Sequence, residues 1–289
     1  MRIHWLLNSA NFLLSSKDIG MGNLYAKEKQ FRSIIEKLII SSDKIDSVDR
    51  LYEEIFGSTN AEEIQLLAEK IAIFFQDAET LYGHSLLKFN NDTFIYQVNE
   101  QYRQDLIRIT QVIDHITAGD FEKLCALFLK EIVGCEEVNA TQCSHDQGID
   151  FVGYKKYVPC LTANEQNSNL LYVIGQAKHY KNECVEVSEI RELAGAIYLL
   201  KTNDFSKKRA QIGERVIYRN LVIDAFTPII PYFITSNYFT SYAYILRKNA
   251  AIIAIDRLEL VLNFLFSNRF RGMSQNEILQ EIQEVDRIS

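Results

Sequence analysis

The feature that most constrains this chain is a change of texture near residue 118. Beyond it, short runs rich in β-branched and aromatic residues alternate with longer runs whose apolar residues recur every three or four positions. The first pattern belongs to strands with a buried face, the second to helices packed on a sheet. In chain order the segments predict a helix (FEKLCALFLKEIVG), three strands (VNATQC, IDFVG, LYVIGQAK) and a helix (VSEIRELAGAIYLL). A strand (IIPYFITS), a helix (SYAYILRKN), a strand (AAIIAI) and a helix (LELVLNFLF) follow. Strands that give way to helices and return imply an α/β or α+β sandwich around a mixed sheet. Asp120 is placed to cap the first helix, with Phe121, Leu124, Cys125, Phe128 and Ile132 as its apolar stripe and Gly134 as its end. Ser274 and Glu277 have the spacing of a capping box for a last amphipathic helix.

Before the change of texture the chain reads as helices: FRSIIEKLII, VDRLYEEIF, EEIQLLAEKIAIFFQDAETLYG and NEQYRQDLIRITQVIDHI, with Asn60 as an N-cap. Only FNNDTFIYQ suggests a short strand or hairpin edge. No repeat or low-complexity linker separates the parts. The boundary is therefore placed at Thr117-Ala118-Gly119-Asp120, giving a helical amino-terminal domain (1–118) and a second domain (119–289). A length of 289 residues is enough for two cores. A formal net charge of −7 excludes a protein coated with basic charge, so any nucleic-acid contact must come from local patches such as Lys207, Lys208 and Arg209. There is no secretory cleavage pattern and no apolar run of membrane-spanning length. Five cysteines without a C-x-x-C pair point to reduced thiols, and Cys143 with His145 lacks the second pair that a zinc site needs. The expected setting is cytoplasmic, with no membrane association.

The chemistry-bearing residues lie in the second domain. Asp150 follows a turn at Gly148 and enters the strand IDFVG, and the next long strand ends in Gln176-Ala177-Lys178. Side chains two apart on a strand share a face, so Gln176 and Lys178 project together. If the two strands are neighbours, Asp150 joins them. A carboxylate and an amide oxygen are hard ligands that suit Mg²⁺, with the Ala177 carbonyl as a further donor. Lys178 has the charge to orient an attacking water or offset charge on a phosphate. Spacing alone does not single out this trio, because many strands carry an Asp or a Lys.

The ordered string FEKLCALFLKEIVG…DQGIDFVG…VIGQAKHY…VSEIRELAGAI…FITSNYFTSYA…IIAIDRLEL resembles the Mrr-type restriction endonuclease domain of the PD-(D/E)xK nuclease superfamily, from about Asp120 to about Phe266. The resemblance implies a restriction-endonuclease-like three-layer α/β/α domain with a central mixed sheet. It implies that Asp150 binds metal, that Gln176 and Lys178 form the Gln-x-Lys variant of the usual Glu-x-Lys, and that Glu122 on the first helix completes the site. The implied metal set is Asp150, Gln176, Ala177 and Glu122, with Mg²⁺ as cofactor and Mn²⁺ as a substitute. Thr235, Ser236, Phe239, Thr240 and Ala243 match a later family stretch that supports the sheet or touches the DNA backbone. Tyr180, Lys207, Lys208, Arg209 and Ser236 are the expected DNA contacts. Two features depart from the family pattern: His179 stands where an Arg is usual, and the loop before Gln176 is long. The implied function is metal-dependent DNA cleavage in bacterial defence against foreign or modified DNA. The helical part would serve recognition, a protein partner or a homodimer. Two other readings are a nuclease-fold DNA-binding module that no longer cuts and an effector gated by a partner.

Overall fold

The computed structural model describes residues 79–80, 87–90, 95–141, 148–157, 169–202, 223, 227–267 and 269–288. The helices expected before residue 79, the Asn60 cap, Cys143, His145, and Lys207, Lys208 and Arg209 lie outside the described residues. Contacts divide the chain into two compact units: Met1–Gln111 with Val261–Met273, and Val112–Leu260 with Ser274–Ser289.

In the first unit, strand β1 (Leu87–Asn90) pairs antiparallel with β2 (Ile95–Val98), and this is where FNNDTFIYQ becomes a hairpin. Helix α1 (Glu100–His115) follows and buries Tyr102, Leu106 and Ile109. The Tyr102 ring lies 6.4 Å from that of Phe266, and the Arg271 guanidinium sits 5.5 Å over it. Asp105 is buried yet satisfied, accepting from Arg108 and, at 3.2 Å, from the Gly272 amide. A buried carboxylate persists only with such partners.

The second unit is built on a six-stranded mixed sheet. Its elements are α2 (Ala118–Phe128), β3 (Glu137–Thr141), β4 (Phe151–Tyr157), β5 (Asn169–Lys178), α3 (Val187–Lys201), β6 (Ile229–Thr235), α4 (Ser241–Asn249), β7 (Ile253–Ile255), α5 (Arg257–Phe266), α6 (Gln275–Gln283) and β8 (Arg287–Ile288). The strand order is β7-β6-β5-β4-β3-β8. Strands β3, β4 and β5 form an antiparallel meander, while β6 and β7 continue parallel to β5 and β8 adds parallel to β3. The division between units falls inside α1 and inside α5.

Strand alternation explains the two faces. Val152, Tyr172 and Ile174 pack with Ile149 against Ala196 and Leu200 of α3. The alternate residues face α2: Phe128 meets Tyr232 at 6.4 Å, and the Phe151 ring covers Gly175, its partner across the β4–β5 ladder. Helices on both faces of this mixed sheet give a three-layer α+β architecture.

Local details refine the sequence reading. The cap of α2 is Thr117 rather than Asp120: the Thr117 hydroxyl accepts from the Asp120 amide at 3.1 Å. Asp120 instead sits in the first turn, where its carboxylate accepts from Thr117 and from Gln283 of α6. The α-helix does not run to Gly134. Its last turn, Leu129–Val133, widens to a π-helix that Gly134 ends at φ 76°. Ser274 caps α6 with the reciprocal bond from Glu277 that the spacing requires.

Candidate active site

Gly148, at φ 86°, turns the chain toward β4 in the left-handed region that glycine tolerates best. Asp150 follows just before the strand and is held on both sides. Its amide donates to the Gly175 carbonyl of β5 at 2.9 Å, and its carbonyl accepts from the Thr141 amide of β3 at 2.9 Å. Its side-chain Oδ2 accepts from the Ala177 amide at 2.6 Å. The neighbouring turn is pinned as well, since Thr141 donates its hydroxyl to the Ile149 carbonyl at 2.6 Å. The β4–β5 register pairs Phe151 with Gly175, so one step on Asp150 falls across from Gln176. The neighbouring strands that the sequence reading required are present.

Gln176 is 1% exposed, and its Oε1 has no hydrogen-bond partner among the described residues. A buried amide oxygen left unpaired costs about 1–3 kcal/mol, a cost that a fold rarely carries without a use. Lys178 occupies the alternate position at the end of β5, half-buried, with its carbonyl held by the Ser236 amide at 3.1 Å and the Thr235 hydroxyl at 3.0 Å. Glu122 lies half-buried on α2, one turn before Cys125. Burial, and then the charges of Asp150 and Glu122, push the Cys125 thiol well above its ordinary range.

The residues after Lys178 form a closed cluster. His179 stacks on Phe121 with ring centroids 5.0 Å apart, donates from Nε2 to the Ile116 carbonyl at 3.1 Å, and has Nδ1 2.9 Å from the Ser236 hydroxyl. Burial lowers its pKa, so the ring is held neutral. Here the departure from the family's Arg has a structural explanation: a flat neutral ring fits between Phe121 and β6. Ser236 is buried; its hydroxyl accepts from the Tyr180 amide at 2.9 Å, and its single hydrogen is shared between the Tyr180 carbonyl at 3.1 Å and His179 Nδ1. It supports the strand exit from within. Burial, and then the hydrogen bond its hydroxyl donates to Glu189 of α3, raise the Tyr180 pKa, so the phenol stays protonated.

Sequence reasoning passed over one residue at this edge. Glu192 of α3 has its Cγ and Oε1 each 3.2 Å from the point where a Cβ on Gly148 would lie, and Gln176 Nε2 is 3.4 Å from the same point. A signal for it was available: Glu192 precedes Ala196 and Leu200 at four-residue spacing on the stripe that packs over β5.

Among the described residues no three His, Cys, Asp or Glu side chains gather as a ready-made metal cluster. The donors present still suit a hard divalent cation, because Asp150 offers a fixed carboxylate and Gln176 a buried oxygen with an unused lone pair.

Residues 113–206 match a protein-family model described as a restriction endonuclease of the Mrr type. Over these residues the chain is similar to a Mrr-like restriction endonuclease domain. Solved structures with similarity include the MspJI restriction endonuclease in complex with a 27-mer oligonucleotide (16% identity, 63% of this chain, 35% of that one, TM-score 0.39). The DNA modification-dependent restriction endonuclease AspBHI is 14% identical over 64% of this chain and 40% of its own, with a TM-score of 0.40. Restriction endonuclease FokI bound to DNA is 11% identical over 95% of this chain and 50% of its own, with a TM-score of 0.36. This chain thus spans half or less of the length of each of these three. No curated protein matches it. Among the described residues no helix is long and apolar enough to cross a membrane.

Proposed function

We propose that this chain is a divalent-metal-dependent endodeoxyribonuclease that hydrolyses phosphodiester bonds in foreign or modified DNA as part of bacterial defence in the cytoplasm. The observation that carries the metal reading is the unpaired, buried Oε1 of Gln176 across the ladder from the fixed carboxylate of Asp150. Asp150, Gln176, the Ala177 carbonyl and Glu122 would hold the ion, Mg²⁺ or Mn²⁺ in its place. When bound, such an ion acts as a Lewis acid on the phosphate and makes water a stronger nucleophile at neutral pH.

The chain's own residues do the rest. The Ala177 amide, by donating to Asp150, fixes the position of that carboxylate beside the strand end. Lys178, on the face of Gln176, places a positive charge where a phosphate gains negative charge in the transition state. Tyr180 with Lys207, Lys208 and Arg209 would meet backbone phosphates, which give affinity and register but no sequence readout. Ser236 acts through Tyr180, whose main chain it clamps on both sides. Residues 1–118 would recognise the substrate, a protein partner or a second copy; cutting both strands with one site per chain calls for a homodimer.

Nicking of supercoiled plasmid tests this reading. It is expected to need Mg²⁺ or Mn²⁺ and to disappear in Asp150→Ala and Lys178→Ala. Equal behaviour of wild type and both variants on every DNA form would sink the enzyme reading. A second reading rests on the neutral side chain of Gln176, which leaves the site one charge short of an acidic pair: the domain binds DNA without cutting. DNA binding with no metal-dependent cleavage would select it, and cleavage appearing only with a partner would make the chain a gated effector.

A further inference from the structure

The charge that Gln176 lacks has a visible source on the facing helix. α3 carries two glutamates one turn apart above the end of β5, and they differ in what they do. Glu189 is committed to the fold: Oε1 accepts from the Tyr180 hydroxyl, and Oε2 accepts from the Glu186 amide at 2.8 Å in the capping box of α3. Glu192 is exposed and forms no hydrogen bond or ion pair among the described residues. Its carboxylate and the Gln176 amide nevertheless share one clearing, the space beside Gly148 that any larger residue would invade with its Cβ.

The geometry points to Glu192 as the second carboxylate of the metal site, supplying from α3 the negative charge that Gln176 does not supply from β5. This rests on the metal reading given above and adds a ligand to it. Three observations converge: a carboxylate with no hydrogen bond or ion pair among the described residues, a buried amide whose oxygen has no partner there either and whose Nε2 borders the clearing, and a glycine at φ 86° that keeps that clearing open. Mg²⁺ sites commonly use one or two carboxylates and complete their shell with neutral oxygens and water. Asp150, Gln176 Oε1 and Glu192 form such a set. An acid on an exposed helix position can also swing toward the ion without disturbing the core, whereas an acid at the 1%-exposed position 176 would be buried uncompensated whenever the site is empty.

The test uses the full chain without DNA and reads Mn²⁺ binding by calorimetry and electron paramagnetic resonance. Glu192→Gln is expected to weaken Mn²⁺ binding by roughly tenfold or more, since ligand charge sets affinity in such sites. The metal-free melting temperature should stay within about 1 °C, as for an exposed substitution. Asp150→Asn should lose binding at least as strongly, Glu183→Gln should match wild type, and adding Gln176→Glu to Glu192→Gln should restore most of the affinity. Wild-type binding in Glu192→Gln alongside a loss in Asp150→Asn overturns the assignment of Glu192 and leaves the metal reading standing. A loss in Glu183→Gln equal to that in Glu192→Gln overturns it too, because the effect is then general charge. No Mn²⁺ binding by wild type, or none lost in Asp150→Asn, brings down the metal reading and this assignment together.

Discussion

At the carboxyl end of β5 two polar groups of residues follow closely in sequence and are treated differently. In the cluster of His179, Tyr180 and Ser236, the His179 ring nitrogens, the Ser236 hydroxyl and the Tyr180 main chain and phenol all have a protein partner. Three positions before His179, Gln176 keeps its Oε1 without a partner among the described residues. The first arrangement is what buried polar groups do when their task is to hold a fold. The second is what they do when a partner is to arrive from outside, and the cost is borne by the surrounding core. Between the two sits Lys178, its backbone locked by the closed cluster and its side chain sharing a face with the open one.

The largest effect should fall on the open group. Asp150→Ala and Lys178→Ala are expected to lower metal-dependent nicking by about a hundredfold or more, the scale of losing a charge-stabilising group. Gel assays at fixed metal concentration check it, and retention of more than half the activity would break the distinction between the two groups. Gly175→Ala probes the packing beneath both. A Cβ there would overlap the Phe151 ring and come within 2.8 Å of the Tyr232 carbonyl oxygen, and Phe151 is fully buried. The expected cost is about 3 kcal/mol, the upper end for overpacking, read from denaturant unfolding.

Ser236→Ala should cost about 1–3 kcal/mol by the same measurement, because it strands the Tyr180 amide and a ring nitrogen of His179. Gln176→Leu should do the opposite in metal-free protein. With an unsatisfied oxygen removed, stability should hold or rise by up to about 1 kcal/mol, while stabilisation by added Mn²⁺ is lost. A clear loss of metal-free stability in Gln176→Leu would show that the amide is structural after all.

The smallest effect concerns pH. Burial sets the folded pKa of His179 below its ordinary 6.5, so the unfolded chain takes up a proton that the folded chain resists. Its contribution is full above about pH 6.5 and is lost as pH falls through the lower folded value. The melting temperature should therefore decline on acidification below that point, and less so in His179→Gln. An identical pH profile for the two proteins would remove His179 from the closed cluster's energetics.

Much of the second unit could be read from its pattern. Helix α4 spans the segment expected, and the capping box at Ser274 is present, because both depend on residues within one or two turns. The stripe on α2 is buried through Phe128, but its cap moved to Thr117 because the hydroxyl reaches the Asp120 amide, a choice that neighbouring residues make by geometry rather than type. The π-turn after Phe128 and the two-residue β8 carry no periodic signal and were not foreseeable. The basic run at Lys207 stays a sequence expectation.

The Asp150, Gln176 and Lys178 centre divides the same way. The sequence by itself determined that Gln176 and Lys178 share a face, since that follows from the two-residue repeat of any strand, and it marked Gly148 as a turn into the Asp150 strand. Only the tertiary structure decided that β4 lies beside β5 in the register that sets Asp150 across from Gln176. It alone left the Gln176 oxygen without a partner and brought Glu192 over the gap at Gly148. Local rules act over a few residues. Pairing, burial and the meeting of a helix with a strand end depend on groups far apart in the chain, and their free energy exists only once the sheet has formed.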